Sequence, residues 1–208
     1  MVHSIDKPTI WDSNLQTDHA WHNALARWLA VTLALLTGIR PFEIARLKRQ
    51  NLDLDGLWLA VHGKPHAIRL AFRRVPILPE LLPFIHEMLK TRGRAASSSN
   101  LIGLCGRDGH WRAAEQADLE TILFEASQRA GLPVVPDFYS LRHRFRTDML
   151  ASGMSEHYLN YLMGREGRGT ESYSVYLDRT SDDLVVLYQP MARQLAIRYG
   201  LIECDEQR

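Results

Sequence analysis

Apolar side chains recur at Trp21, Leu25, Trp28, Leu29, Leu35 and Leu36, with Thr32 in the same stripe, and this spacing predicts one face of an α-helix. Gly38 ends the pattern, and Pro41 suits the first turn of a second helix running to Leu47. Arg40 falls at the junction, where the positive end of the new helix adds to its attraction for an anion. Beyond the turn-rich stretch Asn51 to Gly56, Leu57 to His62 and Ala67 to Ile77 read as two strands of a hairpin. Gly63-Lys64-Pro65-His66 forms its turn and Lys64 stands at the tip.

The second half reads as mostly helical. A helix over Pro79 to Leu89 accommodates Pro83 in its first turn, and Thr91 to Asn100 is a basic, serine-rich loop. A further helix from about Ala113 to Ala130 stops at Gly131, and Leu132 to Pro136 is extended because two prolines disfavour helix there. Asp137 or Ser140 can cap the helix that carries Arg142 to Ala151, with Gly153 as its stop. Glu156 to Met163 is a short helix ended by Gly164, and Arg165 to Thr170 is a glycine-containing loop. Thr180 to Asp183 is expected to cap a last amphipathic segment, Leu184 to Tyr199, which Pro190 should kink or split. The expected class is α+β, mainly α-helical with a small antiparallel β-hairpin or sheet.

Composition narrows the setting. A hydrophobic content of 46% over 208 residues is enough for a packed core. The strongest apolar run, Trp28 to Ile39, is shorter than the roughly 20 residues of a membrane span, and the N-terminus lacks a signal-peptide core, so a cytoplasmic location is expected. Cys105 and Cys204 lie far apart without metal-ligand spacing, so neither a disulfide framework nor a zinc site is indicated. The net charge of +1 hides an uneven distribution. Acids gather at Asp108 to Glu125, Asp178 to Asp183 and Glu203 to Glu206. Cations gather at Lys48/Arg49, Arg69/Arg73/Arg74, Lys90/Arg92/Arg94 and Arg142/His143/Arg144/Arg146, which permits one basic face.

A phosphodiester in transfer carries negative charge on its non-bridging oxygens, and paired guanidiniums hold such oxygens through bidentate hydrogen bonds. Arg40 and Arg142 are candidates for that pair. Thr37 to Leu47 (TGIRPFEIARL), Gly63-Lys64, a strand ending at Val75-Pro76, Leu141-Arg142-His143 and Met163-Gly164 with tyrosines downstream follow in order. Together they resemble the catalytic domain of the tyrosine recombinase or phage integrase family over about residues 18 to 190. The resemblance divides the chain into a leader or linker remnant, 1–17, and a catalytic domain, 18–208, that includes the C-terminal helical segment 184–199. Members carry a DNA-binding domain ahead of this one, so the chain reads as a fragment or a minimal version.

The resemblance implies a site-specific DNA recombinase or integrase. Such an enzyme breaks and rejoins double-stranded DNA through a 3′-phosphotyrosyl link, without metal or nucleotide cofactor, as a homo-tetramer on DNA, serving a phage, a mobile element or a chromosome. By position, Arg40 resembles the first catalytic arginine, Arg142 the second, Glu43 the supporting acid and Lys64 the donor of a proton to the leaving 5′ oxygen, and His143, next to Arg142, is a further supporting residue. Tyr139 stands where the family usually has His or Lys, and Arg165 where it has His or Trp. The nucleophile is Tyr176, with Tyr173 as the alternative: Thr170 precedes Tyr173 at the family's spacing, whereas Thr180 to Leu184 follow Tyr176 at the offsets of the family's next helix. Lys48, Arg49, Arg73, Arg74, Arg144 and Arg146 are expected to face DNA. Two other readings stay open, a catalytically impaired DNA-binding relative and a type IB topoisomerase-like relaxing enzyme.

Overall fold

The structure is a computed structural model and describes residues 18–63, 72–91, 100–106, 110–165 and 173–203. Its centre is helix α1, Asp18–Thr37. The sequence pattern suggests a single apolar face, yet every residue from Trp28 to Ile39 is buried, as befits a helix wrapped on all sides. Packed around it are α3 (Leu82–Thr91), α4 (Gln116–Arg129), α5 (Phe138–Ala151) and α7 (Tyr173–Arg198), together with the short helix α2 (Pro41–Arg46). Helix α6 (Glu156–Leu162) packs on α5. No described helix is long and apolar enough to cross a membrane.

Strands β1 (Leu52–Asp53), β2 (Trp58–His62) and β3 (Phe72–Pro76) form an antiparallel sheet in that order, with Val61 opposite Arg73 and Leu59 opposite Val75. Alternation sends Leu59, Val61, Arg73 and Val75 inward, while Phe72 and Arg74 face out. A second hairpin pairs β4 (Gly103–Cys105) with β5 (Trp111–Ala113). This corrects the expected helix start: Ala113 ends a strand, and α4 begins only at Gln116. The mainly helical α+β class is observed.

The C-terminal region also differs from expectation. Helix α7 begins at Tyr173 and runs through Thr180 to Asp183, so those residues cap nothing, and it continues past Pro190. A proline removes the bond to the carbonyl four residues earlier, here that of Val186, a residue on the exposed face of the helix. Leu184, Tyr188, Ala192, Leu195 and Ala196 bury one stripe of α7 in the core of the same chain, and the Tyr188 hydroxyl donates to Leu36 O at 2.8 Å.

Gly38 makes the turn from α1 to α2 with φ +63, and an added Cβ would lie 2.3 Å from the Phe145 ring. Gly38→Ala therefore combines left-handed strain with an overpacked core and should lower stability by about 2 kcal/mol or more, read as a reduced urea midpoint. Gly200, with φ +68 and open space around it, supplies the comparison. Gly200→Ala should cost only the strain, about 1 kcal/mol.

Candidate active site

The site grows from the α1–α2 corner. Glu43 is the third residue of α2, and its Oε2 accepts from the Arg40 backbone N–H at 2.7 Å, so the carboxylate satisfies one of the open amides at the helix start. Its Oε1 accepts from Arg40 Nη1 at 3.2 Å. The inward parity of β3 brings Arg73 onto the same carboxylate as a fork, with Nη1 to Oε1 at 2.9 Å and Nη2 to Oε2 at 2.8 Å. Arg73 Nε donates to Leu162 O at 2.8 Å. Glu43 and Arg73 are 2% and 1% exposed, so this is an ion pair in the dry interior.

Arg73 is thus a correction. Expected on a DNA-facing surface, it braces Glu43 from beneath. The signal was present in the strand pattern, because Arg73 shares its parity with Val75 and Ile77, the buried side of β3. Burial raises the Glu43 pKa, but the bonds and charge of Arg73, then those of Arg40, outweigh it and hold the carboxylate below its ordinary value.

Arg142 reaches the corner from α5, whose N-cap is Asp137, accepting from Ser140 N at 2.6 Å. It is 2% exposed. Its Nη1 donates to Gly38 O and its Nη2 to Met163 O at 2.5 Å. The next carbonyl, Gly164 O, accepts from Arg40 Nη2 at 3.5 Å. Arg40 and Arg142 therefore meet at one turn. Gly164 makes that turn possible with φ +59: its N–H bonds Tyr161 O at 2.8 Å, and Arg165 N bonds Asn160 O at 2.7 Å, the paired bonds that end a helix through a left-handed residue. A Cβ at Gly164 would lie 2.9 Å from the Arg73 guanidinium.

The turn delivers Arg165 into the same neighbourhood. Burial, then the charge of Arg40, push the Arg142 guanidinium down to about 9, with Arg73 and Arg165 adding and Glu43 opposing; it stays cationic near neutrality. Burial, then Arg146 and Arg40, push Arg165 down as well. Arg40 and Arg73 share the one carboxylate, and Arg142 and Arg165 add to the same corner, which therefore carries uncompensated positive charge.

Other expected residues take other places. Tyr139 is 45% exposed on α5, one turn before Arg142, and His143 is exposed. Arg74 stacks on Trp58 at 4.8 Å and pairs with Asp53, Arg144 pairs with Asp148 at 2.6 Å, and Arg146 pairs with Glu156. Lys48 is half-buried and Arg49 exposed. Lys64 lies outside the described residues, as do the side chains of Tyr173 and Tyr176, whose backbone forms the start of α7. Helix α7 leans on β3, α1 and α5, the elements that carry or adjoin Arg73, Arg40 and Arg142.

The profile described as the phage integrase family matches residues 11–179, most of the chain. The chain belongs to the phage integrase family. Among curated proteins this chain is similar to the tyrosine recombinase XerC of Lactobacillus delbrueckii subsp. bulgaricus, 27% identical over 160 residues, 76% of this chain and 52% of that protein. It is also similar to the tyrosine recombinase XerA of Pyrococcus furiosus, 28% identical over 142 residues, 68% of this chain and 47% of that protein. The chain spans about half the length of these relatives. Among solved structures, the XerH site-specific recombinase bound to difH substrate superposes with a TM-score of 0.59 at 21% identity, over 86% of this chain and 50% of that one. A crystal structure of XerA recombinase gives 0.55 at 14% identity, over 89% and 59%. These two likenesses concern the fold.

Removing Arg73 leaves Glu43 buried with only Arg40, so Arg73→Ala should cost about 3–5 kcal/mol in urea unfolding. Because the folded pKa of Glu43 is depressed, its contribution is present above its ordinary value of 4.5 and lost as pH falls through the folded value. The stability gap between wild type and Glu43→Gln should therefore be widest at about pH 7 and shrink progressively as the pH falls below 4.5, as read by urea midpoints.

Proposed function

We propose that this member of the phage integrase family is a DNA strand transferase that breaks and rejoins double-stranded DNA through a 3′-phosphotyrosyl intermediate. The observation that carries the reading is the meeting of Arg40, Arg142 and Arg165 at the Gly38 and Gly164 turns, with more positive charge than Glu43 offsets. A buried excess of cations is costly unless an anion completes it, and a phosphodiester has the charge and the acceptor geometry. Arg142 is oriented by two carbonyls, so its charge is left for a ligand.

In this mechanism the arginines favour the tyrosine's phenolate, whose proton has passed to water, and hold the non-bridging oxygens while the phenolate oxygen attacks phosphorus. The bond to the 5′ oxygen breaks, the leaving oxygen takes a proton from Lys64, and the 3′ phosphate stays on the tyrosine. Attack by another 5′ hydroxyl reverses these steps, so the energy of the phosphodiester is conserved and no nucleotide is consumed. Tyr139 donates a hydrogen bond to the phosphate, Glu43 braces Arg40, and His143 supports the arginine helix from its exposed side. Site specificity and assembly as a tetramer on DNA belong to the same reading.

Tyr176 is the favoured nucleophile and Tyr173 the alternative. Three other phenols are committed elsewhere. Tyr188 is held protonated by full burial, Tyr161 accepts from the Arg74 backbone N–H at 2.9 Å, and Tyr199 bonds Asp148 and is pushed up to about 12 by burial and that carboxylate.

Incubation with nicked DNA that lets the leaving strand escape, followed by peptide mapping of the covalent adduct, tests the proposal. Wild type and Tyr173→Phe should give an adduct mapping to Tyr176, and Tyr176→Phe should give none. Arg142→Ala should slow its formation by about 100- to 1000-fold. DNA binding without any adduct would reduce the protein to a binding relative.

A further inference from the structure

Arg146 follows Arg142 by one turn of α5, so the two side chains leave the same face of the helix, roughly 6 Å apart along its axis. That spacing is comparable with the step between successive phosphates on one DNA strand. The Arg146 side chain is 28% exposed, and its Nε–H is buried with no hydrogen-bond partner among the described residues. Its Nη2 donates to Oε1 of Glu156, at the first turn of α6. The Glu156 carboxylate is 64% exposed and free to swing into water. Arg165 is close enough to feel the charges of both Arg146 and Arg40, so a file of guanidiniums runs from the catalytic corner outward along α5.

We propose that Arg146 forms a second phosphate subsite next to the Arg40–Arg142–Arg165 corner, and that Glu156 occupies Arg146 until the DNA backbone displaces it. Only the identity of the polyanion rests on the strand-transferase reading. A phosphate oxygen can accept from Nε and Nη2 of Arg146 together, which satisfies the orphaned Nε–H as the present carboxylate contact does not. An exposed ion pair is weak, so displacing Glu156 costs little. Two adjacent phosphates held in fixed order would set the direction in which the strand crosses the corner, and Glu156 would reject contacts too weak to displace it. Arg146 and Glu156 act here as positioning residues.

A fluorescent DNA duplex of arbitrary sequence, titrated at several salt concentrations, is the probe. Arg146→Ala should weaken binding about tenfold at about 0.1 M salt and make the slope of log affinity against log salt shallower by about 0.9, the loss of one phosphate contact. Arg112→Ala, which removes an exposed cation paired with Asp118 on β5, should leave the slope unchanged. Glu156→Gln should tighten binding about threefold, and in the Arg146→Ala background that gain should vanish. An equal gain in both backgrounds, or an unchanged slope in Arg146→Ala, overturns the subsite while strand transfer still stands on its adduct. Failure of the wild type to bind duplex overturns both. Glu156→Gln changes only an exposed carboxylate, so the test survives if Arg146→Ala folds poorly; no tightening in that variant alone also overturns the displacement.

Discussion

The corner depends on one buried carboxylate. Glu43 takes four hydrogen bonds, one from a backbone amide and three from the guanidiniums of Arg40 and Arg73, and so ties a helix start to a strand and to the first arginine of the site. Burying charge in a dry interior is tolerated only when partners and geometry are complete. Here the fork from Arg73 completes it, and the ion pair becomes the floor on which Arg40 is positioned. The same requirement explains why neither Gly38 nor Gly164 has room for a side chain: the main chain must come close enough for carbonyls to meet guanidiniums.

Those carbonyls separate two kinds of arginine. Arg142 is held by Gly38 O and Met163 O, dipoles that orient a guanidinium without neutralising it. Arg74, Arg144 and Arg112 are tied to Asp53, Asp148 and Asp118. An arginine fixed by carbonyls alone keeps its charge for something else, as Arg142 does, while Arg40 divides its bonds between Glu43 and Gly164 O. Membership of the phage integrase family and this surplus of charge agree, each on separate grounds, with chemistry on a phosphate.

Much of this was legible along the chain. The breaks at Gly38, Gly131, Gly153 and Gly164, the cap at Asp137 and the hairpin strands around Leu59 and Val75 all follow from local rules, because caps, turns and strand alternation are decided by residues a few positions apart. Two expectations failed, each for its own reason. Thr180 to Asp183 resemble a helix start, yet the packing of Leu184 and Tyr188 extends one helix through them, tertiary burial outweighing capping preference. The β4–β5 hairpin is too short and too weakly patterned to announce itself, with all of β5 exposed.

The sequence by itself determined the order of most elements, the mainly helical class and the candidates Arg40, Glu43 and Arg142, because these reside in short motifs and in periodicity. Only the tertiary structure decided that Arg73 belongs under the site and not on its surface, and that Arg40, Arg142 and Arg165 share one turn. A charged residue has the same identity whether it meets water or a buried carboxylate. Which of these it meets is set by contacts such as Arg73 with Glu43, 30 residues apart, and Arg142 with Gly38, 104 residues apart, and no local pattern encodes such distances.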